Sequence, residues 1–391
     1  MAAEMSLDEV ERAARTAPAY AVPEVVAAVL VRRWPIVATA EFLVADYHLR
    51  TLHPLAGGGG SGPVTGADHP AGRAFASGRP VAVPPGPPDG TGRVYVPLTA
   101  RGDRLGVLVL GVSRDAGPAE AAAIGELGAV VGGALRIAWP HTDRYERARR
   151  GRRMTLAAEV QWQLLPGQSI AGAEFALSGH LEPAYSVGGD NFDWSTEADH
   201  LALSVTNGSG QGVRAALLTS LTVGALRNAR RSGAEPGEQA ALAGDLVHTR
   251  YAGAEYTETL VMRVGLADGT VTAVDTGSPR ILRLRGSRVE VVDLEHEPPL
   301  GMFSDLAYRP QHFTLDPGDR LVMVSDGVYA ARSADDHEFG DAPLRRAVRE
   351  SRLLPAEEVP KAIIDGMQRH QGGTELADDA VVVCLDWNGR S

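Results

Sequence analysis

Residues 321–327 read Leu-Val-Met-Val-Ser-Asp-Gly, an apolar run that ends in Ser325, Asp326 and Gly327. A short apolar run followed by turn-forming residues is typical of a buried strand. We therefore expect Asp326 to lie at the edge of a sheet, where Gly327 lets the backbone approach a ligand without a Cβ in the way. The other informative features of the chain are motifs of the same kind.

Three further motifs share this composition and read Gly188-Gly189-Asp190-Asn191-Phe192-Asp193, Asn207-Gly208-Ser209-Gly210-Gln211-Gly212 and Asp378-Asp379. Carboxylates gathered in one place repel one another unless a hard cation neutralises them. Asn207 departs from this pattern, because it is an amide at a position where an acid is expected. Since Asp-Gly and Gly-Gly pairs also favour ordinary turns, the alternative is that the motifs are turns and nothing more.

The chain has 391 residues and a formal net charge of -11, with 44% hydrophobic and 22% charged residues. The length predicts two or three domains, and the composition is typical of a globular protein. The acidic balance argues against nucleic acid as a partner. We expect no apolar run to approach the roughly 18 residues that span a bilayer, and Cys384 is the single cysteine. We expect a cytoplasmic protein that binds no membrane.

The N-terminal part of the chain alternates helical and strand-like patterns. Residues 7–33 have helical periodicity, and an Ala- and Gly-rich helix is predicted over 118–137. Strands are predicted over 41–47, 93–98 and 105–111. This order predicts a compact α/β sensor domain.

Three stretches of this domain read Gly-Arg-Ala-Phe-Ala-Ser-Gly-Arg-Pro over 72–80, Val-Tyr-Val-Pro-Leu over 94–98 and Arg-Gly-Asp-Arg-Leu-Gly-Val-Leu over 101–108. In this order they resemble the second half of a GAF domain. The resemblance implies a domain that holds a small ligand in a pocket or that serves as a dimerising module. The region has no cysteine, which excludes a covalently attached bilin.

Residues 141–165 combine a basic run over 141–150 with an apolar stripe at Leu156, Val160 and Leu164. A basic helix can bind nucleic acid or an anionic membrane, but such runs are more often the solvated face of a connecting helix. We interpret the segment as one continuous helix that ends before Pro166 and can transmit a shift between domains. The stripe predicts that it packs against a second copy, which makes a homodimer.

From residue 175 onward the pattern becomes rich in strands. Strands are predicted over 175–183, 201–205, 256–266, 270–274, 281–284, 289–292, 321–324 and 380–385, with helices over 213–231 and 236–250. Runs of strands with one block of two helices predict an α+β fold, in which antiparallel sheets form a layered sandwich.

Short motifs recur through this half of the chain in a fixed order. They are Glu-Val-Gln-Trp-Gln-Leu-Leu-Pro over 159–166, Pro183-Ala184, Val187-Gly188-Gly189-Asp190, Ala215-Ala216-Leu217-Leu218, Asp275-Thr276-Gly277-Ser278-Pro279, Pro299-Leu300-Gly301, Pro317-Gly318-Asp319, Ser325-Asp326-Gly327-Val328 and Asp378-Asp379. Their order and spacing over residues 154–388 resemble the metal-dependent PPM-type (type 2C) protein phosphatases of the bacterial SpoIIE/RsbU branch.

The resemblance implies a division of the chain and an activity. It implies a GAF-like domain over 1–139, a helical linker over 140–166 and, over 167–391, an α-β-β-α sandwich of two antiparallel sheets flanked by helices. It implies a serine/threonine phosphatase in which two Mn²⁺ or Mg²⁺ ions grip the phosphoryl oxygens and activate a water. The implied substrate is a phosphorylated anti-sigma-factor antagonist of a partner-switching pathway, under control of the GAF-like domain.

The resemblance also implies roles for individual residues. Asp326 and Asp378 bind one cation, Asn207 stands at the position that bridges both cations, and the Gly208 carbonyl completes the other site. Asp190 acts through water at the rim or holds a further ion. The implied catalytic residues are therefore Asp190, Asp326 and Asp378.

Three positions depart from the family pattern. Asn207 can offer one amide oxygen but cannot bridge as a carboxylate does, Ser278 replaces a histidine, and Val381 replaces a threonine. Asp193 and Asp379, next to the motifs, are interpreted as structural. Two hypotheses stay open: an active phosphatase, or a catalytically weak pseudophosphatase that serves as a scaffold for a phosphoprotein.

Overall fold

The computed structural model describes residues 6–55, 62–66, 68–85, 90–150, 154–184, 188–340, 342–373 and 376–390. Val187 of the predicted 187–190 motif and residues 151–153 of the predicted linker lie outside the described residues. The chain divides into two compact units, Met1–Arg153 and Met154–Ser391. Each unit has its own sheets and its own apolar core.

The N-terminal unit is built on one six-stranded antiparallel sheet. Its helices are α1 (Leu7–Thr16), α2 (Val22–Arg33), α3 (Pro70–Ser77), α4 (Pro118–Ala138) and α5 (Arg144–Arg149). Its strands are β1 (Val37–Ala45), β2 (Thr51–Pro54), β3 (Val64–Thr65), β4 (Val81–Val83), β5 (Gly92–Ala100) and β6 (Asp103–Val112), in the order β3-β2-β1-β6-β5-β4. The strands predicted over 41–47, 93–98 and 105–111 correspond to β1, β5 and β6.

The helical periodicity over residues 7–33 belongs to two helices, α1 and α2. Helix α1 ends at Thr16, and Ala17 is extended. A residue that precedes a proline is pushed out of the helical region, and Pro18 follows Ala17. Helix α2 then begins with Pro23 in its first turn, where no hydrogen bond is lost.

Helix α4 is the central helix of the N-terminal unit. One face packs on the sheet through four side chains that are at most 2% exposed: Ile124, Leu127, Val131 and Leu135. By length and composition alone, Pro118–His141 could also cross a membrane. The expectation that no segment is that long and apolar is therefore wrong. The core helix of a folded domain meets the same criterion of length and hydropathy, and α4 is such a helix, because one of its faces is buried in the core of the N-terminal unit.

The C-terminal unit contains two antiparallel sheets. Its strands are β7 (Ser169–Ala171), β8 (Phe175–Glu182), β9 (Asn191–Thr196), β10 (His200–Gly208), β11 (Thr257–Gly265), β12 (Thr270–Asp275), β13 (Arg280–Arg285), β14 (Arg288–Val292), β15 (Gln311–Thr314), β16 (Arg320–Val324) and β17 (Ala380–Trp387). Its helices are α6 (Leu156–Leu164), α7 (Gly212–Arg231), α8 (Pro236–Tyr251), α9 (Asp326–Tyr329), α10 (Ala342–Glu350) and α11 (Val359–His370). The sheets have the orders β15-β12-β11-β10-β9 and β14-β13-β16-β17-β8-β7.

The two sheets pack face to face, and helices cover both outer faces. Side chains from both sheets form the central core, among them Phe192, Met262 and Met323. Helices α7 and α8 pack on the five-stranded sheet, and α10 and α11 pack on the six-stranded one. The predicted α+β fold, an α-β-β-α sandwich of two antiparallel sheets, is confirmed.

The connecting segment and the C-terminal unit differ from the sequence-based expectations. Instead of one continuous helix over 141–165, α5 ends at Arg149 in one unit and α6 begins at Leu156 in the other. Thr155 is the reason for the new start, because its hydroxyl accepts the Ala158 N–H and caps α6. Strands β7, β9 and β15 and helices α9, α10 and α11 were not predicted.

Candidate metal centre

Four loops of the C-terminal unit carry the predicted site residues. Asp190 directly precedes β9, Asn207 lies near the end of β10, Asp326 begins α9 after β16, and Asp378 lies two residues before β17. Each sheet contributes two of these loops, because β9 neighbours β10 and β16 neighbours β17. The carboxylate of Asp190 interacts electrostatically with those of Asp326 and Asp378. The structure thus brings the three predicted catalytic acids together.

Glycines allow these loops to touch. A Cβ on Gly188 would lie 2.1 Å from Oδ1 of Asp378, and a Cβ on Gly208 would lie 2.7 Å from the carbonyl oxygen of Gly189. Gly189 also has a φ of 92°, in the left-handed region that glycine adopts without strain. Larger residues at these positions would separate the loops.

Asp379 holds the 188–190 loop in shape. Its Oδ2 accepts the N–H groups of Gly188 at 2.8 Å, Gly189 at 2.9 Å and Asp190 at 3.3 Å, and its Oδ1 accepts that of Ala184 at 2.8 Å. Burial raises the pKa of this carboxyl, and the N–H donors oppose the rise. A carboxylate satisfied in this way has a structural role in the loop.

The Asp193 carboxylate is bound by arginines of a helix and is not available to a cation. It is 2% exposed, and its two oxygens accept hydrogen bonds from Arg227 at 2.8 Å and Arg230 at 3.0 Å. Both arginines belong to α7. Asp193 therefore joins β9 to α7, and its oxygens are taken by those arginines.

Asp190 is the unusual acid of the group. It is 0% exposed, and neither carboxylate oxygen has a hydrogen bond of normal geometry to any described residue. Burial raises its pKa well above the usual value, and the negative charges of Asp379, Asp326 and Asp378 add to the rise, whereas the nearby Ser325 side chain opposes it. A buried carboxylate without donors needs a proton or a cation to neutralise it.

Asp326 and Asp378 lie closer to solvent. Asp326 is half-buried and Asp378 is exposed, and each accepts the N–H of the following residue, at 2.9 Å and 2.8 Å respectively. Partial enclosure of its carboxyl raises the pKa of Asp378 to about 6, and the charge of Asp326 contributes to the rise. Two repelling carboxylates in a loop cluster of this kind are suited to a divalent cation.

Asn207 has a fixed environment. It is 7% exposed, and its Nδ2 donates to Oγ of Ser278 at 2.7 Å. The Ser278 N–H donates to Oε2 of Glu258 at 3.2 Å, and the Tyr329 hydroxyl donates to the Ser278 carbonyl at 3.1 Å. With its nitrogen engaged, Asn207 retains its amide oxygen as a possible neutral ligand.

Glu258 is a site residue that the sequence analysis missed. It pairs directly with Asn207 across β10 and β11, so both side chains lie on the same face of the sheet. Burial raises the pKa of Glu258, and the charge of Asp326 adds to the rise. The available signal was the register of the two strands, which places a carboxylate opposite the amide.

The residues present fit a hard divalent cation with mixed ligands. Among the residues that the structure describes, no three acidic, histidine or cysteine side chains lie close enough to enclose a cation by themselves. Neutral oxygens must then complete the coordination, and Asn207 and the Gly208 carbonyl are suitable in kind. The oxygens of buried Asp190 have no hydrogen-bond partner among the described residues, and a bound cation would neutralise their negative charge.

Comparison with known sequences gives a consistent result. Residues 197–388 match the family model described as stage II sporulation protein E (SpoIIE). The phosphoserine phosphatase RsbU of Bacillus subtilis (strain 168) is 24% identical over 233 residues, which cover 59% of this chain and 68% of that protein.

Solved structures with similar backbones include two phosphatase domains. The SiaA-PP2C domain of Pseudomonas aeruginosa has a TM-score of 0.49 at 19% identity, covering 54% of this chain and 85% of that one. The catalytic domain of the serine/threonine protein phosphatase PstP, in complex with two manganese ions, has a TM-score of 0.40 at 14% identity, covering 55% and 98%.

Proposed function

We propose that the C-terminal unit is a PP2C-type serine/threonine phosphatase domain of the SpoIIE family, and that it is catalytically active with Mn²⁺ or Mg²⁺ despite Asn207. The observation that supports activity is the fully buried Asp190 carboxylate beside Asp326 and Asp378, whose two oxygens have no hydrogen bond of normal geometry to any described residue. A scaffold that binds phosphoproteins without turnover has no need of such a buried charge.

Each group in the cluster then has a distinct task. When bound, Mn²⁺ or Mg²⁺ neutralises the phosphoryl oxygens and lowers the pKa of a water that attacks phosphorus. Asp326 and Asp378 would hold the cation, with the amide oxygen of Asn207 and the Gly208 carbonyl as neutral ligands. Asp190 would compensate the positive charge of the cation, and Asp379 keeps the 188–190 loop in place through backbone N–H groups.

The substrate that we propose is a phosphorylated regulatory protein of the anti-sigma-factor-antagonist kind. The support is the similarity to RsbU, which is named a phosphoserine phosphatase. The exposed position of Asp378 is compatible with a phosphate carried on a protein surface. The alternative, a pseudophosphatase scaffold, rests on the missing carboxylate at Asn207.

We propose that the N-terminal unit is a GAF-like sensor that controls the phosphatase. An open cavity of about 510 Å³ supports a small ligand, and its lining includes Glu41, His69, Arg93 and Tyr95 from the sheet and the loops beside it. A ligand in this cavity would meet both charges and an aromatic ring.

We also propose a cytoplasmic homodimer that forms through the stripe of Leu156, Val160 and Leu164. Leu156 is 63% exposed, and the other two are half-buried. Light scattering at micromolar concentration tests this arrangement, and a monomeric mass would overturn it.

Turnover of p-nitrophenyl phosphate with added Mn²⁺ tests the proposed activity. Wild type should be active, Asp326→Asn should lose activity at least about a hundredfold, and Asn207→Asp should gain activity. Asp335→Asn is the matched control, because Asp335 is exposed and lies outside the cluster.

The same experiment separates the two hypotheses. A silent wild type that Asn207→Asp activates would establish the pseudophosphatase. Activity that is equal in wild type and in Asp326→Asn would contradict the site itself.

A further inference from the structure

Gln161 of α6 reaches the predicted metal-binding loop. It is 0% exposed, and its Nε2 donates at 2.6 Å both to the carbonyl oxygen of Asp190 and to Oδ2 of Asp379. The backbone carbonyl oxygen of Gln161 accepts from Nδ2 of Asn191 at 3.4 Å. The side-chain amide of Gln161 therefore contacts the 188–190 loop in two ways. It binds the backbone carbonyl of Asp190 in the loop, and it binds the Asp379 carboxylate that holds the loop in shape.

Packing does not explain a buried amide at this position. The other buried residue of α6 is Ala157, which packs with Ala216 of α7, while Leu156 is 63% exposed. Oε1 of Gln161 has no partner among the described residues, and burial of an unsatisfied acceptor opposes folding. An apolar side chain of similar length would serve the helix at least as well.

The donors around Asp379 differ in kind. Four of them are backbone N–H groups of Ala184 and the 188–190 loop, which move with that segment. Gln161 is the side-chain donor that reaches Asp379 from a helix. On the other side of the loop, Thr219 of α7 donates to the Gly189 carbonyl at 2.5 Å. The loop is thus held between two helices.

We propose that Gln161 is a positioning residue for the metal centre, which fixes the 188–190 loop and thereby the place of the Asp190 carboxylate. The inference rests on the proposed function, since it assumes a cation at this place. Gln161 does not itself contact the cation or the phosphate. Its effect is on how well ordered the loop is before a cation binds, and therefore on cation affinity.

Mn²⁺ binding measured by electron paramagnetic resonance of the free ion tests the inference without turnover. The variants are Gln161→Met, which keeps the length and lacks the amide, and Gln163→Met, a control at an exposed glutamine of the same helix. We expect Gln161→Met to weaken Mn²⁺ binding by about ten- to a hundredfold, the range for residues that orient metal ligands. Gln163→Met should bind as wild type does.

Stability without metal is the second readout. In EDTA, Gln161→Met should remain folded and melt slightly below wild type, since four N–H donors still satisfy Asp379 whereas the Asp190 carbonyl loses its hydrogen bond from Nε2. Wild-type Mn²⁺ affinity in a folded Gln161→Met would overturn the inference. Absence of Mn²⁺ binding in wild type would overturn the proposed function and the inference with it, so the two failures are distinguishable.

Where Gln161→Met melts early in EDTA, Gln161→Glu gives an independent measurement at one pH, because its charge repels Asp379 without a change of size. A folded Gln161→Glu variant should bind Mn²⁺ more weakly than wild type. An Mn²⁺ affinity equal to that of wild type would refute the inference.

Discussion

Two departures from the family pattern contact each other. Asn207 replaces an aspartate and Ser278 replaces a histidine, and Nδ2 of Asn207 donates to Oγ of Ser278 at 2.7 Å. The Tyr329 hydroxyl donates its single proton to the backbone carbonyl of Ser278. The tyrosine oxygen also lies 3.3 Å from Oγ of Ser278, and in that contact it must accept the proton of the serine hydroxyl. Ser278 must then accept from Asn207, which leaves the amide oxygen as the group available to a cation.

Ser278→Ala should therefore weaken Mn²⁺ binding by about fivefold, the effect of one hydrogen bond, because the amide of Asn207 can then rotate and present its nitrogen. In the Asn207→Asp background the same substitution should change the affinity by less than about twofold, since both carboxylate oxygens are equivalent ligands. Calorimetric titration of the four proteins measures the difference. Equal effects in the two backgrounds would contradict the assigned orientation of Asn207.

Asp378 gives the metal-free protein a pH-dependent stability. Its folded-state pKa of about 6 lies above the ordinary value of about 3.9, so its contribution is present below pH 4 and is lost as the pH rises through 6. Since Asp378 is exposed, solvent screening limits the size of the effect. Melting temperatures in EDTA should fall between pH 4 and 6.5.

Asp378→Asn separates this effect from that of Asp275, whose pKa burial also raises to about 6. The variant should show a shallower fall in melting temperature over the same pH range. In wild type, stabilisation by Mn²⁺ should grow over that range, because cations bind the deprotonated carboxylates. Scanning fluorimetry at several pH values between 4 and 6.5 checks both expectations, and an unchanged slope in Asp378→Asn would exclude this residue as the cause.

At the scale of elements, α4 depends on its glycines. A Cβ on Gly132 would lie 2.2 Å from the carbonyl oxygen of Thr99 in β5, whereas a Cβ on its neighbour Gly133 would meet nothing within 4 Å. Gly132→Ala should therefore destabilise the N-terminal unit by about 2 kcal/mol through overpacking. Gly133→Ala should stabilise it by up to about 1 kcal/mol through helix propensity.

Urea unfolding of the full chain measures both α4 variants against the same wild-type transition. A Gly132→Ala variant as stable as Gly133→Ala would mean that α4 does not pack closely on β5. The pair is matched in substitution and helix, so the difference between the two reports the contact alone.

Those strands that consist of a short apolar run next to turn-forming residues could be predicted from the sequence. The ends of these runs also indicated the positions of Asp190, Asp326 and Asp378 at the edges of the sheets. Strand β9 was missed because it begins inside the Gly188–Asp193 motif, which was interpreted as a loop. Helices α10 and α11 had the usable signal of Leu344 with Val348 and of Val359 with Ile363, each four residues apart.

The contacts of the site were less accessible to sequence reasoning. Gln161 and Asp379 are 218 residues apart in the chain, and their hydrogen bond leaves no local pattern. Glu258 is recognisable only once the register of β10 against β11 is known. Motifs therefore identified the candidate ligands, whereas the residues that orient them needed the fold.

At the scale of the whole molecule, the position of α6 decides where the phosphatase unit begins. The sequence placed this boundary at residue 167, after the linker. In the structure Met154–Ser391 is one compact unit and includes α6. A boundary at 167 would remove Gln161 from the 188–190 loop and Ala157 from its packing against Ala216.

Two fragments distinguish these boundaries. The fragment 154–391 should fold, bind Mn²⁺ as tightly as the full chain and hydrolyse p-nitrophenyl phosphate, because every contact of the site lies within that unit. The fragment 167–391 should bind Mn²⁺ at least about tenfold more weakly, since it lacks the side-chain donor to Asp379. If the fragment 167–391 also melts at a lower temperature than the full-chain Gln161→Met variant, the difference in melting temperature reports the loss of α6 packing. Equal Mn²⁺ affinity in both fragments would place the boundary at 167 and show that α6 contributes nothing to the centre.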